Sequence, residues 1–234
     1  YVNEYKALGY KAANGGVVRL EAEFPDLVSD SSVYAGNSNA SSATYPSAPN
    51  SQLYNIIGEN SYSSVGQWAA YKFTVNESGM YNLSARFKQE TLQGMFACRT
   101  IKLAGGEYGL ADGSPTVPFS EAQNVRFSYS KEWQSDVLGD YIYKNALGEL
   151  VDINDYSYNS KNGLYVNKTT GVEEALDGQS RPFEFYFEAG VEYTIYVECS
   201  LGDLKSYIQR AEVSLANIND CYLSILQRTG SDPD

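Results

Sequence analysis

The sequence predicts an all-β sandwich with one long C-terminal α-helix. Three observations lead there: short stretches in which apolar and polar residues alternate, an aromatic set of 21 Tyr and 9 Phe beside 2 Trp, and a change of period near residue 200. Alternation is the mark of a half-buried strand. Tyr, Phe and β-branched residues pack well on a pleated surface. Many short strands without a helix between each pair argue a sandwich rather than an α/β fold. The 234 residues, 43% hydrophobic and 20% charged, fit one large domain and exclude a disordered chain. Surface scaling for 25.8 kDa leaves about 10,000 Å² exposed in a compact fold.

Residues 1–16 form a polar lead, residues 17–199 the sandwich, and residues 200–234 the helix and the start of a linker. Val17 to Phe24 alternates, with Val18, Leu20, Ala22 and Phe24 on one face and Arg19, Glu21 and Glu23 on the other, which predicts a half-buried strand. Ser29 to Ser51 is rich in Ser, Asn, Ala and Pro and reads as a surface loop. Gln67 to Val75 and Met80 to Phe87 alternate on either side of Asn76-Glu77-Ser78-Gly79, which predicts a hairpin. Phe96 to Leu103 and Val125 to Tyr129 are further strands. Ser130 to Pro182 reads as a long Tyr- and Asn-bearing insertion with room for a hairpin of its own. Phe183 to Phe187 and Val191 to Cys199, joined through Glu188-Ala189-Gly190, predict a last hairpin. Then Leu201, Leu204, Ile208, Ala211, Leu215, Ile218, Tyr222 and Ile225 step by three and four, the stripe of an amphipathic helix, with Asp203 as N-cap and Gly230 and Pro233 as its stop. Such a helix braces one side of the sandwich or carries the chain towards a following domain.

The charge balance is −12, from 17 Lys and Arg against 29 Asp and Glu, so there is no basic footprint for a nucleic acid or an anionic membrane. The absence of His removes imidazole general acid-base catalysis, His-dependent triads and imidazole metal sites. Cys98, Cys199 and Cys221 form no C-x-x-C pair and their number is odd, so buried free thiols are expected rather than a disulfide framework. No apolar run approaches the length of a membrane span, and the chain opens at Tyr1 without Met, so it reads as a piece of a longer parent.

Several short motifs occur in a recognisable order. Leu20-Glu21-Ala22-Glu23, Gly66-Gln67-Trp68 with Tyr71-Lys72-Phe73, and Ser78-Gly79-Met80-Tyr81 with Leu83 and Arg86 resemble the start of carbohydrate-binding modules of families 6 and 35. Downstream, Val117 to Ala122, Phe127-Ser128-Tyr129 before Trp133, Phe185-Tyr186-Phe187, Ser200 to Leu204 and Tyr222 to Ile225 before Thr229 resemble the N-terminal region of large extracellular solute-binding lipoproteins of sugar ABC transport systems. The resemblance implies a jelly-roll-like sandwich on the cell surface that binds a glycan or oligosaccharide and precedes a further domain of the same parent. It implies a structural Ca²⁺ at Glu21 and Glu23, although the partner Asp expected on the last strand is missing. It also places Trp133 at a position that stacks on sugar rings, with Asn60, Tyr62, Gln134, Tyr141 and Tyr143 as further contacts. An indole there suits the apolar face of a sugar, and equally suits a core position capping the sandwich. The Tyr-rich insertion serves either as a contact platform or as a loop packing its own rings. Adjacent acids such as Glu173 and Glu174, or Asp152 and Asp155, admit a glycosidase only if two carboxyls face one another across a cleft. The expected reading is a non-catalytic module, with a docking domain as its rival.

Overall fold

The structure is a computed structural model that describes residues 2–38, 54–91, 93, 96–202 and 204–230. Along the chain run a short helix α1 (Val2–Ala7), strands β1 (Leu27–Val28), β2 (Ala35–Gly36), β3 (Ile56–Ile57), β4 (Trp68–Thr74), β5 (Gly79–Asn82), β6 (Ser84–Gln89), β7 (Phe96–Ala104) and β8 (Val125–Ser128). There follow β9 (Ser130–Val137), β10 (Gly139–Lys144), β11 (Leu150–Val151), β12 (Tyr156–Asn159), β13 (Leu164–Asn167), β14 (Glu173–Glu174), β15 (Asp177–Pro182), β16 (Glu184–Phe187), β17 (Glu192–Ser200) and the long helix α2 (Leu204–Thr229). The protein is therefore mostly β, built of antiparallel sheets with one long C-terminal helix, consistent with an all-β sandwich.

One layer is a five-stranded sheet in the order β1-β4-β17-β7-β8. Its register places Tyr71, Ile195 and Leu103 in one transverse row and Ala69, Val197 and Ile101 in the next. Residues two apart on a strand share a face, so both rows and the Phe73–Tyr193 pair point the same way, into the core. From the opposite side Phe183, Phe185 and Phe187 project off one strand, all buried. Phe187 meets Phe73 edge to face at 5.0 Å and Tyr193 at 4.8 Å, while Phe119 lies 5.3 Å from both Phe183 and Phe185. Each ring so enclosed contributes roughly 1.5–3 kcal/mol of burial.

The second layer is organised around one point. The stretches 79–89, 130–144 and 177–187 each run almost unbroken and change partner midway: β5 pairs with β16, β6 with β9, and β10 with β15. The change happens at Leu83, Leu138 and Phe183. There the Leu138 amide donates to the Leu83 carbonyl at 2.7 Å and the Phe183 amide donates to the Leu138 carbonyl at 2.9 Å. Gly139 follows at once, where an added Cβ would stand 2.3 Å from the Arg181 carbonyl oxygen. Only a residue without a side chain lets the two strands close.

Several expectations are corrected here. Val17 to Phe24 is not a strand: the Phe24 amide donates to the Glu21 carbonyl in a turn, and the Tyr71 hydroxyl donates to the Ala22 carbonyl at 2.8 Å. The turn inverts the alternation, leaving Phe24 66% exposed and Glu23 5% exposed. Neither expected hairpin forms. β4 and β5 belong to opposite layers, as do β16 and β17, so both connections arch across the core. The arches brace each other: the Gly190 amide donates to the Val75 carbonyl at 2.9 Å and the Ala189 amide to the Ser78 hydroxyl at 2.8 Å. Alternation specifies which face a side chain takes, not which strand lies beside it.

The polar lead is part of the body. Lys11 and Ala13 exchange backbone hydrogen bonds with Met80, and the Tyr10 ring stacks on Tyr186 at 3.6 Å. Of the segment read as an insertion, β9, β10 and β15 belong to the second layer, so the true excursion is residues 145–176. Cys98 and Cys199 are free and buried as expected, but Cys221 is exposed. Helix α2 spans the expected residues and ends at Gly230, whose φ of 70° only glycine adopts readily. Its proposed N-cap Asp203 and the stop at Pro233 lie outside the described residues. None of its residues is buried, so among the described residues it does not brace the sandwich. The accessible surface of 15,190 Å² exceeds by roughly half that of a compact chain this size.

Two substitutions test this layout by urea denaturation. Phe183→Ala is expected to cost about 3–5 kcal/mol as a core truncation, and Gly139→Ala about 1–3 kcal/mol by overpacking the strand junction. An unchanged midpoint for Gly139→Ala would mean that β10 and β15 do not close there.

Candidate tyrosine platform

Beyond the junction, β10 and β15 run outward as a ladder, with Tyr141 opposite Ser180 and Tyr143 opposite Gly178. Tyr141 and Tyr143 share a face. An added Cβ at Gly178 would come within 3.1 Å of the Tyr143 ring, so that ring lies across the glycine. The excursion then folds into its own three-stranded sheet, β12-β13-β14, where Tyr158 stands opposite Tyr165 and Tyr165 opposite Glu174. Tyr165 joins the two small sheets: its ring is 6.0 Å from Tyr143 and 5.1 Å from Tyr158. Burial pushes its phenol above the usual range, and the neighbouring phenols of Tyr143 and Tyr158 add to this. At the edges Tyr141 is 70% and Tyr158 62% exposed, while Tyr156 donates to Glu174 at 2.9 Å. The result is a strip of rings with hydroxyls and one carboxylate on a scaffold of paired strands. Such a surface can stack on a flat apolar face and hydrogen-bond around its rim.

The other expected sugar contacts lie elsewhere. Trp133 is on β9 rather than in a loop. It occupies a bulge of the β6–β9 ladder, where the pairing jumps from Phe87↔Gln134 to Gln89↔Ser130. The ring is half-buried and its Nε1 is enclosed without a partner among the described residues. Gln134 beside it donates to the Ser130 hydroxyl at 2.9 Å, which shapes the bulge. Eight residues of extended chain, roughly 26 Å at about 3.3 Å each, separate Trp133 from Tyr141. The two residues stand on different ladders, β6–β9 and β10–β15.

Asn60 is exposed in a 3-10 turn at Glu59–Ser61. Tyr62, expected as a contact, is corrected to a core residue 6% exposed: its hydroxyl donates to the Val197 carbonyl and the Arg99 guanidinium lies 4.9 Å over its ring. Desolvation by burial pushes its phenol far above the usual range. Tyr141 and Tyr143 thus belong together, and Trp133 with Gln134 forms a separate patch. Tyr158 and Tyr165 complete the strip, and the expected contact set omitted them. Their signal in the sequence is Tyr156 and Tyr158 at period two before the Asn162-Gly163 turn, followed at once by Leu164-Tyr165.

Glu21 and Glu23 sit in the turn described above. Glu21 pairs with Arg19 at 2.6 Å. Glu23 is buried, and its Oε1 has no partner among the described residues. Burial pushes its carboxyl up, its own backbone amide pulls it down, and Glu21 pushes it up again. An enclosed carboxylate oxygen without a donor fits a hard cation, which prefers oxygen ligands. Among the described residues no third acidic group joins them, so backbone carbonyls and water would have to complete the shell.

Glu173 and Glu174 do not face one another across a cleft. They are adjacent on β14 and point to opposite faces, Glu173 accepting from Asn159 and Asn162 and Glu174 from Tyr156. Comparison with protein-family models, curated proteins and solved structures returns no match.

Glu23 gives a signed prediction. Its pKa is raised on folding, so its contribution is fully present below the unfolded value and is lost as pH rises through the folded one. Without added metal, Glu23→Gln is expected to gain about 1 kcal/mol near neutral pH by removing a buried unpaired charge. The gain should shrink as pH falls towards about 4. Urea midpoints across that range measure it, and a loss of stability at neutral pH would contradict the buried carboxylate.

Proposed function

We propose that the chain is a non-catalytic extracellular carbohydrate-binding module with a jelly-roll-like sandwich, part of a cell-surface solute-binding lipoprotein of a sugar ABC transporter. The observation that carries this reading is the strip Tyr141-Tyr143-Tyr165-Tyr158 across β10 and the excursion, exposed at Tyr141 and Tyr158 and half-buried between them. The motif order from Leu20 to Ile225 supports it, as do the acidic charge and the lack of His. Sugar rings stack on the strip, and Ser180, Tyr156 and Glu174 along it offer hydroxyl and carboxylate partners. Trp133 with Gln134 is a second, smaller patch. Ca²⁺, held by Glu21 and Glu23 with backbone oxygens, neutralises the buried charge and fixes the turn between the lead and β1. Among the described residues no helix is long and apolar enough to cross a membrane, and attachment comes through the parent chain.

A shallow aromatic surface makes few enclosed hydrogen bonds, and association itself costs several kcal/mol, so affinities of about −4 to −6 kcal/mol are expected. On a glycan array followed by calorimetry, Tyr141→Ala and Tyr158→Ala should each weaken binding at least about tenfold, some 1.4 kcal/mol. Their melting temperatures should stay near that of the parent, because both rings are exposed. Loss of binding in Trp133→Ala alone would move the site to the β9 bulge. No binding by the parent would favour a docking domain. Millimolar Ca²⁺ should raise the melting temperature by mass action, and Glu23→Gln should abolish that rise.

A further inference from the structure

Helix α2 carries a seam that, beyond its half-buried first residue Leu204, nothing among the described residues buries. Leu204, Ile208, Ala211, Leu215, Ile218, Tyr222, Ile225 and Thr229 alternate spacings of four and three without a break over its whole length. That is a repeat of 3.5 residues. A helix lying on a globular body follows 3.6, and a strict 3.5 repeat sustained over more than three heptads is the pattern of a coiled coil. Leu215 and Ile218 are each 64% exposed, Tyr222 and Ile225 each 58%. The helix leaves the sandwich at a fixed point: Gly202, at φ 52°, is pressed so close to Asn124 and Cys98 that a Cβ would stand 2.1 Å from Asn124 Oδ1. From that anchor its 26 residues extend for roughly 39 Å at about 1.5 Å each.

We propose that α2 pairs with α2 of a second copy of this chain as an antiparallel coiled coil. In heptad terms Ile208, Leu215, Tyr222 and Thr229 are the a positions, and Leu204, Ala211, Ile218 and Ile225 the d positions. An antiparallel pair brings an a residue of one helix level with a d residue of the other. Laid flush, with the two-fold axis between Ala216 and Asn217 at the middle of the helix, the layers become Leu204 with Thr229, Ile208 with Ile225, Ala211 with Tyr222, and Leu215 with Ile218. Every seam residue has a partner, and the largest side chain meets the smallest. A parallel pair would instead set Tyr222 against Tyr222 and Ala211 against Ala211, one crowded layer and one void, and packing at native density disfavours both.

The area suffices. Burying the exposed parts of the seam with its flanks at Tyr207 and Leu226 removes roughly 700 Å² per helix, and about 1,400 Å² for two is within the range of stable specific interfaces. Charge favours the same arrangement. Lys205, Arg210 and Arg228 against Glu212 and Asp220 leave the helix at +1, so of the chain's total of −12 the residues before the helix carry −11, and Asp232 and Asp234 after it the other −2. Antiparallel pairing places the two acidic bodies at opposite ends of the coil, where screening over about 10 Å removes their repulsion.

Sedimentation equilibrium on the whole chain from about 1 to 200 µM, a range that brackets micromolar affinity, should show twice the 25.8 kDa of one chain. Ile218→Lys should return it to one chain with the sandwich's melting temperature unchanged. A single-chain mass throughout that range overturns the proposal, as does an Ile218→Lys protein that stays double. Orientation is read by oxidative cross-linking of Leu204→Cys and Thr229→Cys proteins, each carrying Cys221→Ser. Disulfides that form only when the two are mixed support the antiparallel pair. Disulfides within either protein alone overturn it.

Discussion

The meeting of three strands at Leu83, Leu138 and Phe183 decides how the rest of the molecule is disposed. Two backbone hydrogen bonds and the close passage of Gly139 along Arg181 hold it. Because each strand changes partner there, the second layer splays into three ladders instead of continuing as one sheet. The β5–β16 ladder stays over the five-stranded sheet and supplies Phe185 and Phe187 to the core. The β6–β9 ladder leads to the bulge with Trp133, and the β10–β15 ladder leads out to the tyrosines. The Arg181 guanidinium reinforces the outer ladder, bonding to Asp140 directly across it and to Glu121 at 3.1 Å. Charge-assisted pairs of this kind fix register as well as adding energy.

Much of this was legible in the sequence, and what was not has a common cause. The sequence pattern located β4, β7, β8, β16 and β17, because burial on one face is a local property of a strand. Pairing is not local. The Asn76 to Gly79 and Glu188 to Gly190 segments have the composition of hairpin turns, yet they arch between layers, and what selects the arch is their contact with each other. Residues 17–24 fail for a related reason: one turn at Glu21 reverses the sense of an otherwise regular alternation, burying an acid and exposing a phenylalanine.

The candidate site was legible in parts. Tyr141 and Tyr143 were in the expected set, and the structure brings them together with Tyr165 and Tyr158 through a sheet the sequence indicated only as room for a hairpin. Tyr62 was misplaced because a tyrosine's ring and hydroxyl suit a surface contact and an interior hydrogen bond equally well. Its Val197 carbonyl partner is 135 residues away in sequence. Glu23 shows the reverse. Its two-residue spacing from Glu21 was visible, while its enclosure depends on the turn and on Tyr71 holding the Ala22 carbonyl, neither of which a periodicity expresses.

The exposed strip and the uncovered helix are physically complementary. A shallow aromatic platform holds a ligand weakly, because what it gains in ring burial is nearly offset by the freedom lost on association. Two such platforms held by one coil make the second contact intramolecular, at an effective concentration set by the spacing of the bodies, and raise the avidity for a polymer by orders of magnitude without a new contact. The antiparallel arrangement suits an extended ligand in particular, since it sets the two sandwiches apart by the length of the coil. A monomeric chain with the same strip would be confined to the weak regime. If the coil and the tyrosine strip act as proposed, the length and the regular seam of α2 set the number of rings engaged at once.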